Sequence, residues 1–251
     1  MTDRRVTDRR VTARLACVAV AVLVAVAAVA GCSGGDDGGS SGSGGSGGNG
    51  GDGGSAGAGA TSTTVNTGGV AVDAPEGWQP VPLADLRFGL AVPPGWEAVL
   101  LSPEGLATLA GASPAVPGFS DLAHAAAAGG GIFYAAGQDA AGGISDVEVR
   151  ARPQSGITDL AGLQAEAASA AAQAQADPVA IEVVDGTEYP TVLVPFTVGG
   201  ADPAGGSSAV TTIMVAGPDD VLWEVTVASD DAATHDELTR QIADTLTFVP
   251  R

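Results

Sequence analysis

The 251-residue sequence predicts an α+β domain after residue 69, in which helices pack on a central antiparallel sheet. Three observations carry this prediction. From about Pro80, stretches rich in valine, isoleucine and threonine alternate with turn residues, as short strands do. These strands come in runs, and helical segments lie between and after them, which favours α+β. About 180 residues remain for this part, the usual size of one domain.

The first predicted elements are two strands around a tight turn. "DLRFGLAVPPGW" predicts a strand over 86–92, a turn at Pro93-Pro94-Gly95 and a short strand over 96–101, arranged like a hairpin. The segment 102–130 that follows is rich in Gly, Ala and Pro, and strand pairing in it stays open. Its weakly helical stretches are 104–110 and 120–128.

A strand pair and a long helix come next. "GIFYAAG" and "ISDVEVRAR" predict two strands joined by a turn over 140–143. "ITDLAGLQAEAASAAAQAQADP" predicts the clearest helix, with Thr158 as N-cap, Asp159 in the first turn and Asp177-Pro178 as the stop. Its predicted sheet-facing stripe is Leu160, Leu163, Ala167, Ala171 and Ala174.

The last part of the chain predicts an antiparallel meander and a final helix. The four strand candidates are "VAIEVVDG", "TVLVPFTVGG", "SAVTTIMVAG" and "DVLWEVTVAS". A turn over 217–220, with proline in its second position, joins the last two. The final helix is predicted over 232–245, with Leu238, Ile242 and Leu246 at core spacing and acidic residues near its start.

Three of these segments together resemble the PsbP-like superfamily, which includes mycobacterial Lpq-type lipoproteins and the extrinsic protein of photosystem II. They are "FGLAVPPGW", "VVDGTEYPTVLVPFTV" after a long helix, and "LWEVTVAS" before a final helix and "LTF". The resemblance covers roughly 83–249 and departs from the pattern over 102–130. It implies an αβα sandwich around a central antiparallel sheet.

Residues 1–31 predict a lipoprotein signal peptide. Five arginines in two "TDRR" repeats and "TAR" precede an apolar run of about 16 residues from Leu15, which ends in small residues. A transmembrane helix needs about 20 apolar residues, usually bulkier than this Ala/Val mixture. General secretion and twin-arginine export both stay open, although the residues flanking Arg9-Arg10 match the twin-arginine pattern poorly.

Cys32 is the predicted lipidation site. Val29-Ala30-Gly31-Cys32 resembles a bacterial lipobox, which implies cleavage between Gly31 and Cys32 and acyl chains, such as palmitate, on Cys32. One acyl chain holds a protein to a membrane only marginally, whereas two or three give a durable hold. A Cys17–Cys32 disulfide would not survive cleavage. We therefore expect a lipid-anchored protein on the extracytoplasmic face of the cell membrane.

Residues 32–69 predict the lipidated cysteine followed by a disordered tether. The stretch is dominated by Gly, Ser, Asp, Asn and Thr, so burial could not offset the entropy of ordering it. A flexible chain of this length reaches on the order of 35 Å. Residues 70–251 are then predicted to form a single α+β domain, which the resemblance implies is PsbP-like.

The charge balance excludes one class of partner. The chain has 10 basic and 29 acidic residues, a net charge of −19, and no lysine. Losing the signal peptide, with five arginines and two aspartates, makes the charge −22. Binding to nucleic acid or to anionic headgroups is therefore not expected. With no cysteine after Cys32, disulfides and thiolate metal sites are not expected either.

The sequence predicts no catalytic, metal or cofactor site. His124 and His235 stand far apart in the sequence, in unrelated contexts. Asp219-Asp220 and Asp230-Asp231 could bind calcium, but each pair stands where a turn or a helix start favours aspartate. No two of the many carboxylates are singled out as a hydrolase pair by spacing.

The three tryptophans complete the candidate residues. Trp96 and Trp223 are predicted in the core, whereas Trp78 is either core or an exposed recognition residue.

The predicted function is that of a non-enzymatic, cell-surface binding or assembly module for a protein or cell-envelope partner. A carrier of a small apolar ligand and an envelope hydrolase without a recognisable motif are the alternatives.

Overall fold

The computed structural model describes residues 63–67, 69–139, 142–173, 180–198 and 208–250. The predicted signal peptide, Gly31, Cys32 and the tether up to residue 62 lie outside the described residues, as does the predicted helix stop at Asp177-Pro178. Within the described ranges, no helix combines the length and apolar composition needed to cross a membrane.

Strands make up most of the regular structure. The described strands are β1 (Thr63–Thr67), β2 (Val70–Ala74), β3 (Gln79–Leu83), β4 (Phe88–Val92), β5 (Glu97–Leu100), β6 (Phe133–Gln138), β7 (Ile144–Pro153), β8 (Glu182–Val183), β9 (Thr191–Val198), β10 (Ser208–Gly217), β11 (Val221–Ser229) and β12 (Thr247–Phe248). The described α-helices are α1 (Pro103–Leu109), α2 (Phe119–Ala128), α3 (Leu160–Gln173) and α4 (Ala232–Thr245).

A large antiparallel sheet organises the molecule and confirms the α+β prediction. Its seven described strands have the order β5-β6-β7-β11-β10-β9-β8, and neighbouring strands are antiparallel. A second sheet has the order β12-β4-β3, and β1 pairs with β2.

Helices lie on both faces of the large sheet. On one face α2 packs on β6, and α3 packs on β9 and β10. The other face carries α4, which contacts β10 and β11, together with the three-stranded sheet. The second outer layer of the sandwich is thus shared between one helix and a small sheet.

The main core lies between the large sheet and the β12-β4-β3 sheet. Its largest contributions are apolar side chains that alternate along β4, β7 and β11, and they include Phe88, Leu90, Val147, Val149, Trp223 and Val225. Gly89 lies on the opposite face of β4, where β2 packs. A Cβ atom at Gly89 would come within 2.4 Å of Val72 Cγ2, so the close approach of β2 requires glycine there.

The predicted hairpin of 86–92 and 96–101 is wrong. β4 lies between β3 and β12 in the small sheet, whereas β5 pairs with β6 at the edge of the large sheet. Both edges of β4 are already paired, so β5 has no edge to join. The turn at Pro93-Pro94-Gly95 therefore carries the chain from one sheet to the other.

One described strand precedes residue 70, where the domain was predicted to begin. β1 lies inside the stretch assigned to the tether and pairs with β2 along its whole length, from Thr63 opposite Ala74 to Thr67 opposite Val70. Threonine and valine favour strands, and β2 buries Val70, Val72 and Ala74 against β4. β1 contains no glycine or serine, although it follows directly on the Gly/Ser tract.

The predicted helices are confirmed, with corrections at α3. α1, α2 and α4 match 104–110, 120–128 and 232–245 within one residue. In α3 the N-cap is Asp159 rather than Thr158, because Asp159 Oδ1 accepts a hydrogen bond of 2.8 Å from the Gly162 N–H. Leu160, predicted to face the sheet, is 36% exposed, since it begins the helix beyond the edge of the sheet-facing stripe.

Candidate functional site

The two histidines do not meet. His124 is exposed on α2, and its Nδ1 lies 2.7 Å from the Ser120 carbonyl oxygen. His235 is only 3% exposed on α4, which packs on the opposite face of the large sheet. A site shared by both histidines is therefore ruled out by the fold.

His235 forms a buried pair with a hydroxyl group. Its Nε2 lies 2.9 Å from Thr211 Oγ1 on β10, and Thr211 is 4% exposed. Burial lowers the pKa of His235 below its usual value, against the weaker effect of the Asp236 carboxylate. A base and a nucleophile need this distance, but both side chains are buried here. The pair links α4 to β10 through a buried hydrogen bond.

The acidic pairs serve turns and a helix start, as predicted. Asp219 and Asp220 take left-handed conformations, with φ of 61° and 59°, and Asp220 Oδ1 accepts a 2.7 Å hydrogen bond from the Gly156 N–H. Asp231 caps α4 by accepting from the Ala233 N–H. Among the described residues, no three His, Cys, Asp or Glu side chains are grouped to hold a metal ion.

An ion-pair network on β7 was not predicted. Glu148, Arg150 and Arg152 alternate along β7, so they share the face of the sheet opposite the main core. Arg150 Nε donates to Glu148 Oε1 at 2.6 Å, and Arg152 bonds Glu166 on α3. Glu224 stands opposite Arg150 on β11. The signal in the sequence is the alternation of charged and apolar residues in "VEVRAR".

Two carboxyl groups of this network have shifted pKa values. Burial raises the pKa of Glu148, and Arg150 opposes the rise. Burial likewise raises the pKa of Glu224, against the attraction of Arg152 and Arg150. Raised carboxyl pKa values occur at catalytic sites, but ion-pair networks produce them as well. Because Arg152 contacts Glu166 and stands 3.8 Å from Glu224, this network ties α3 to the sheet.

Two tryptophans line an open groove of about 340 Å³ between α4 and the ends of several strands. We call it the Trp78–Trp96 groove. The other residues that line it are Pro93, Gly137, Gln138, Asp139, Ser145, Thr234, Glu237, Leu238 and Gln241. Its lining combines indole and aliphatic groups with hydroxyl, amide and carboxylate groups that can orient a ligand.

Two similar turns deliver these tryptophans. Pro75–Trp78 and Pro93–Trp96 both read Pro-x-Gly-Trp, and in each the tryptophan N–H donates to the carbonyl of the first residue, at 3.0 and 3.4 Å. The glycines, Gly77 and Gly95, have φ of 79° and 77°, as the third position of a type II turn requires. Each turn thus places a large aromatic side chain at its end.

Gly137 on β6 sets the position of Trp96. A Cβ atom at Gly137 would lie 2.2 Å from Trp96 Cδ1 and Nε1, so the indole rests directly on the backbone of β6. Trp96 and Trp78 are half-buried, and both pack against the main core. The rest of each ring is available to the groove.

The fold is similar to that of a cyanobacterial PsbP. The match to CyanoP from Synechocystis sp. PCC 6803 has 13% identity and a TM-score of 0.41, and covers 69% of this chain and 93% of that protein. The Ran-binding protein Mog1p of Saccharomyces cerevisiae matches with 10% identity, a TM-score of 0.39, and coverage of 69% and 96%. No protein-family model and no curated protein matches the sequence.

The structure gives the three tryptophans different roles. Trp223 is 5% exposed and lies in the core, as predicted. Trp96 packs against the main core, as predicted, but it is only half-buried and also lines the groove. Trp78 combines both alternatives, since it packs on the core and lines the groove. The repeated Pro-x-Gly-Trp is the signal that sequence reasoning missed.

Proposed function

We propose that this protein is a lipid-anchored, extracytoplasmic lipoprotein whose folded domain binds a partner without catalysis. The Trp78–Trp96 groove is its ligand site. One observation carries the proposal: two tryptophans from separate turns converge on a single open groove with hydrogen-bonding groups around it. Aromatic side chains with a polar surround supply much of the binding energy at recognition sites.

Several features favour binding over catalysis. The described titratable groups with shifted pKa values, Glu148, Glu224, His235 and Tyr189, do not line the groove. An acid or base that acts on a ligand must lie within hydrogen-bond reach of it. The groove is also open and partly charged. A carrier of an apolar ligand would instead enclose that ligand in an apolar cavity.

The anchor rests on the sequence at the amino-terminal end. An arginine-rich start, an apolar run and the Gly31-Cys32 junction together resemble a lipoprotein signal. Residues 33–62, rich in glycine and serine, then separate the anchor from β1. In this arrangement the tether keeps the groove close to the membrane surface, where it can meet a partner.

Replacing Cys32 by alanine is expected to abolish both lipid addition and processing. Membrane-extracted parent protein should have the mass of the chain from Cys32 plus its acyl groups, because the modified cysteine becomes the new amino terminus. Cys17→Ala is the matched control, since it changes the other cysteine and leaves the junction intact. A parent chain without lipid, or with a different amino terminus, contradicts the anchor.

A photo-crosslinking amino acid at Gln241, which lines the groove, is expected to capture the partner on intact cells. The same amino acid at Gln164, exposed on α3 across the large sheet, is the control and should capture nothing. Trp78→Ala should reduce the yield at Gln241, because it removes one aromatic surface of the site. Equal capture at both positions, or none at Gln241, contradicts the proposal.

A further inference from the structure

We infer that the Trp78–Trp96 groove binds a cationic side chain, arginine or lysine, presented by a segment of a partner protein. The inference rests on the proposed function and adds the chemical class of the ligand. Three features support it: the charge of the lining, the distribution of arginines over the domain, and the chemistry of the indole rings.

The charged side chains that line the groove are acidic. Asp139 at the end of β6 and Glu237 on α4 contribute carboxylates, and the described lining includes no arginine. Gln241 Nε2 donates to Glu237 Oε1 at 3.1 Å, which orients that carboxylate along the helix. Carboxylates at a partly covered surface attract a cation and disfavour a phosphate or an acidic peptide.

Of the four arginines among the described residues, three have partners outside the groove, and Arg240 stands three positions after Glu237 on α4. Arg150 and Arg152 belong to the β7 ion-pair network on the opposite face of the large sheet. Arg87 donates to the Pro250 carbonyl, and Arg240 is exposed on α4 but does not line the groove. With a chain charge of −19, the long-range field also steers cations toward the domain.

Among aromatic side chains, the indole ring of tryptophan binds cations best. Its π face attracts arginine and lysine, and two tryptophans beside two carboxylates combine that attraction with charge. Arginine also stacks on aromatic faces through its planar guanidinium group. The groove therefore matches the extended side chain of a basic segment better than it matches a neutral ligand.

The test is a titration of the full-length chain, in detergent solution, with the peptide acetyl-Gly-Arg-Gly-Arg-Gly-amide. Its isosteric control replaces both arginines by citrulline, which keeps the shape and removes the charge. The chain has three tryptophans, so the indole N–H signals in an NMR spectrum can be assigned with Trp78→Phe and Trp96→Phe. Buried Trp223 is the internal reference.

We expect the arginine peptide to shift the Trp78 and Trp96 signals and to leave Trp223 unchanged. The citrulline peptide should bind at least about fivefold more weakly. Asp139→Asn and Glu237→Gln should each weaken the arginine peptide about two- to fivefold, and added salt should do the same. Asp121→Asn, an exposed change on α2 across the large sheet, is the matched control and should have no effect.

Equal binding of the two peptides, unmoved Trp78 and Trp96 signals, or full affinity in Asp139→Asn/Glu237→Gln overturns the inference. So does a neutral oligosaccharide that shifts both indoles where the arginine peptide does not. If Gln241 crosslinks a partner but the arginine peptide leaves the indoles unmoved, only the cationic ligand is wrong. If both experiments fail, the proposed binding site is wrong as well.

Discussion

Replacing Arg150 by methionine is expected to destabilise the domain by about 3 to 5 kcal/mol at neutral pH. The Arg150 and Glu148 side chains are only 11% and 7% exposed, and their 2.6 Å ion pair stabilises two charges that burial has removed from water. Without Arg150, Glu148 is left as a buried carboxylate and Glu224 loses one of its two arginine neighbours. Urea unfolding of parent and variant measures the difference.

The size of this loss should depend on pH. Burial holds the pKa of Glu148 above its usual value, so the folded state binds the proton more tightly than the unfolded state. The stabilisation that this tighter proton binding gives the folded state is present below the pKa of Glu148 in the unfolded chain. It is lost as pH rises through the pKa of Glu148 in the folded state. Removing Arg150 raises the folded pKa further. The difference in unfolding free energy between parent and Arg150→Met should therefore be smallest at about pH 4 and grow toward about pH 7.

The double variant Glu148→Leu/Arg150→Met is the control for this prediction. It removes both members of the pair, so its stability should lie close to that of the parent and depend less on pH than that of Arg150→Met. A deficit for Arg150→Met that stays constant with pH would show that lost packing, and not the unpaired carboxylate, is responsible.

Trp223→Ala should destabilise the domain by about 3 to 5 kcal/mol, the usual loss when a large aromatic leaves a tight core. Trp223 stacks on Phe88 with ring centroids 4.5 Å apart and also contacts Phe248, so it joins the large sheet to β4 and β12. Its removal leaves a cavity between the two sheets. Denaturant unfolding, monitored by circular dichroism, measures the loss.

Trp223→Phe is the matched variant and should destabilise the domain much less than Trp223→Ala. The Trp223 Nε1 atom is buried, and no described residue accepts a hydrogen bond from it, so phenylalanine forfeits no bond and keeps an aromatic face toward Phe88. Equal losses for alanine and phenylalanine would mean that an indole-specific contact, and not ring packing, stabilises this part of the core.

The sequence alone predicted the parts of the fold that depend on local interactions. The boundaries of α4 follow from the apolar spacing of its residues and from Asp231 before its first turn. The β10–β11 hairpin follows from its proline-containing turn. The signal peptide and the lipidated Cys32 are also local patterns, and they stay predictions.

Tertiary structure decided everything that depends on distant residues. The pattern "FGLAVPPGW" contains two strands and a turn, but only the presence of β3 and β12 on both edges of β4 sends β5 to another sheet. The partners of Arg152 are likewise Glu166 and Glu224, on a helix and a strand far along the chain.

The candidate site also depends on residues that are far apart in the sequence. Trp78, Trp96, Asp139 and Glu237 come from two turns, a strand end and a helix, and only the repeated Pro-x-Gly-Trp of the two tryptophans marks any of them in the sequence. A pattern within one segment reflects interactions between residues that are close in the sequence, and it therefore predicts secondary structure. The groove exists because packing of α4 beside the ends of β4 and β6 holds these segments together, and that packing energy is a property of the assembled core.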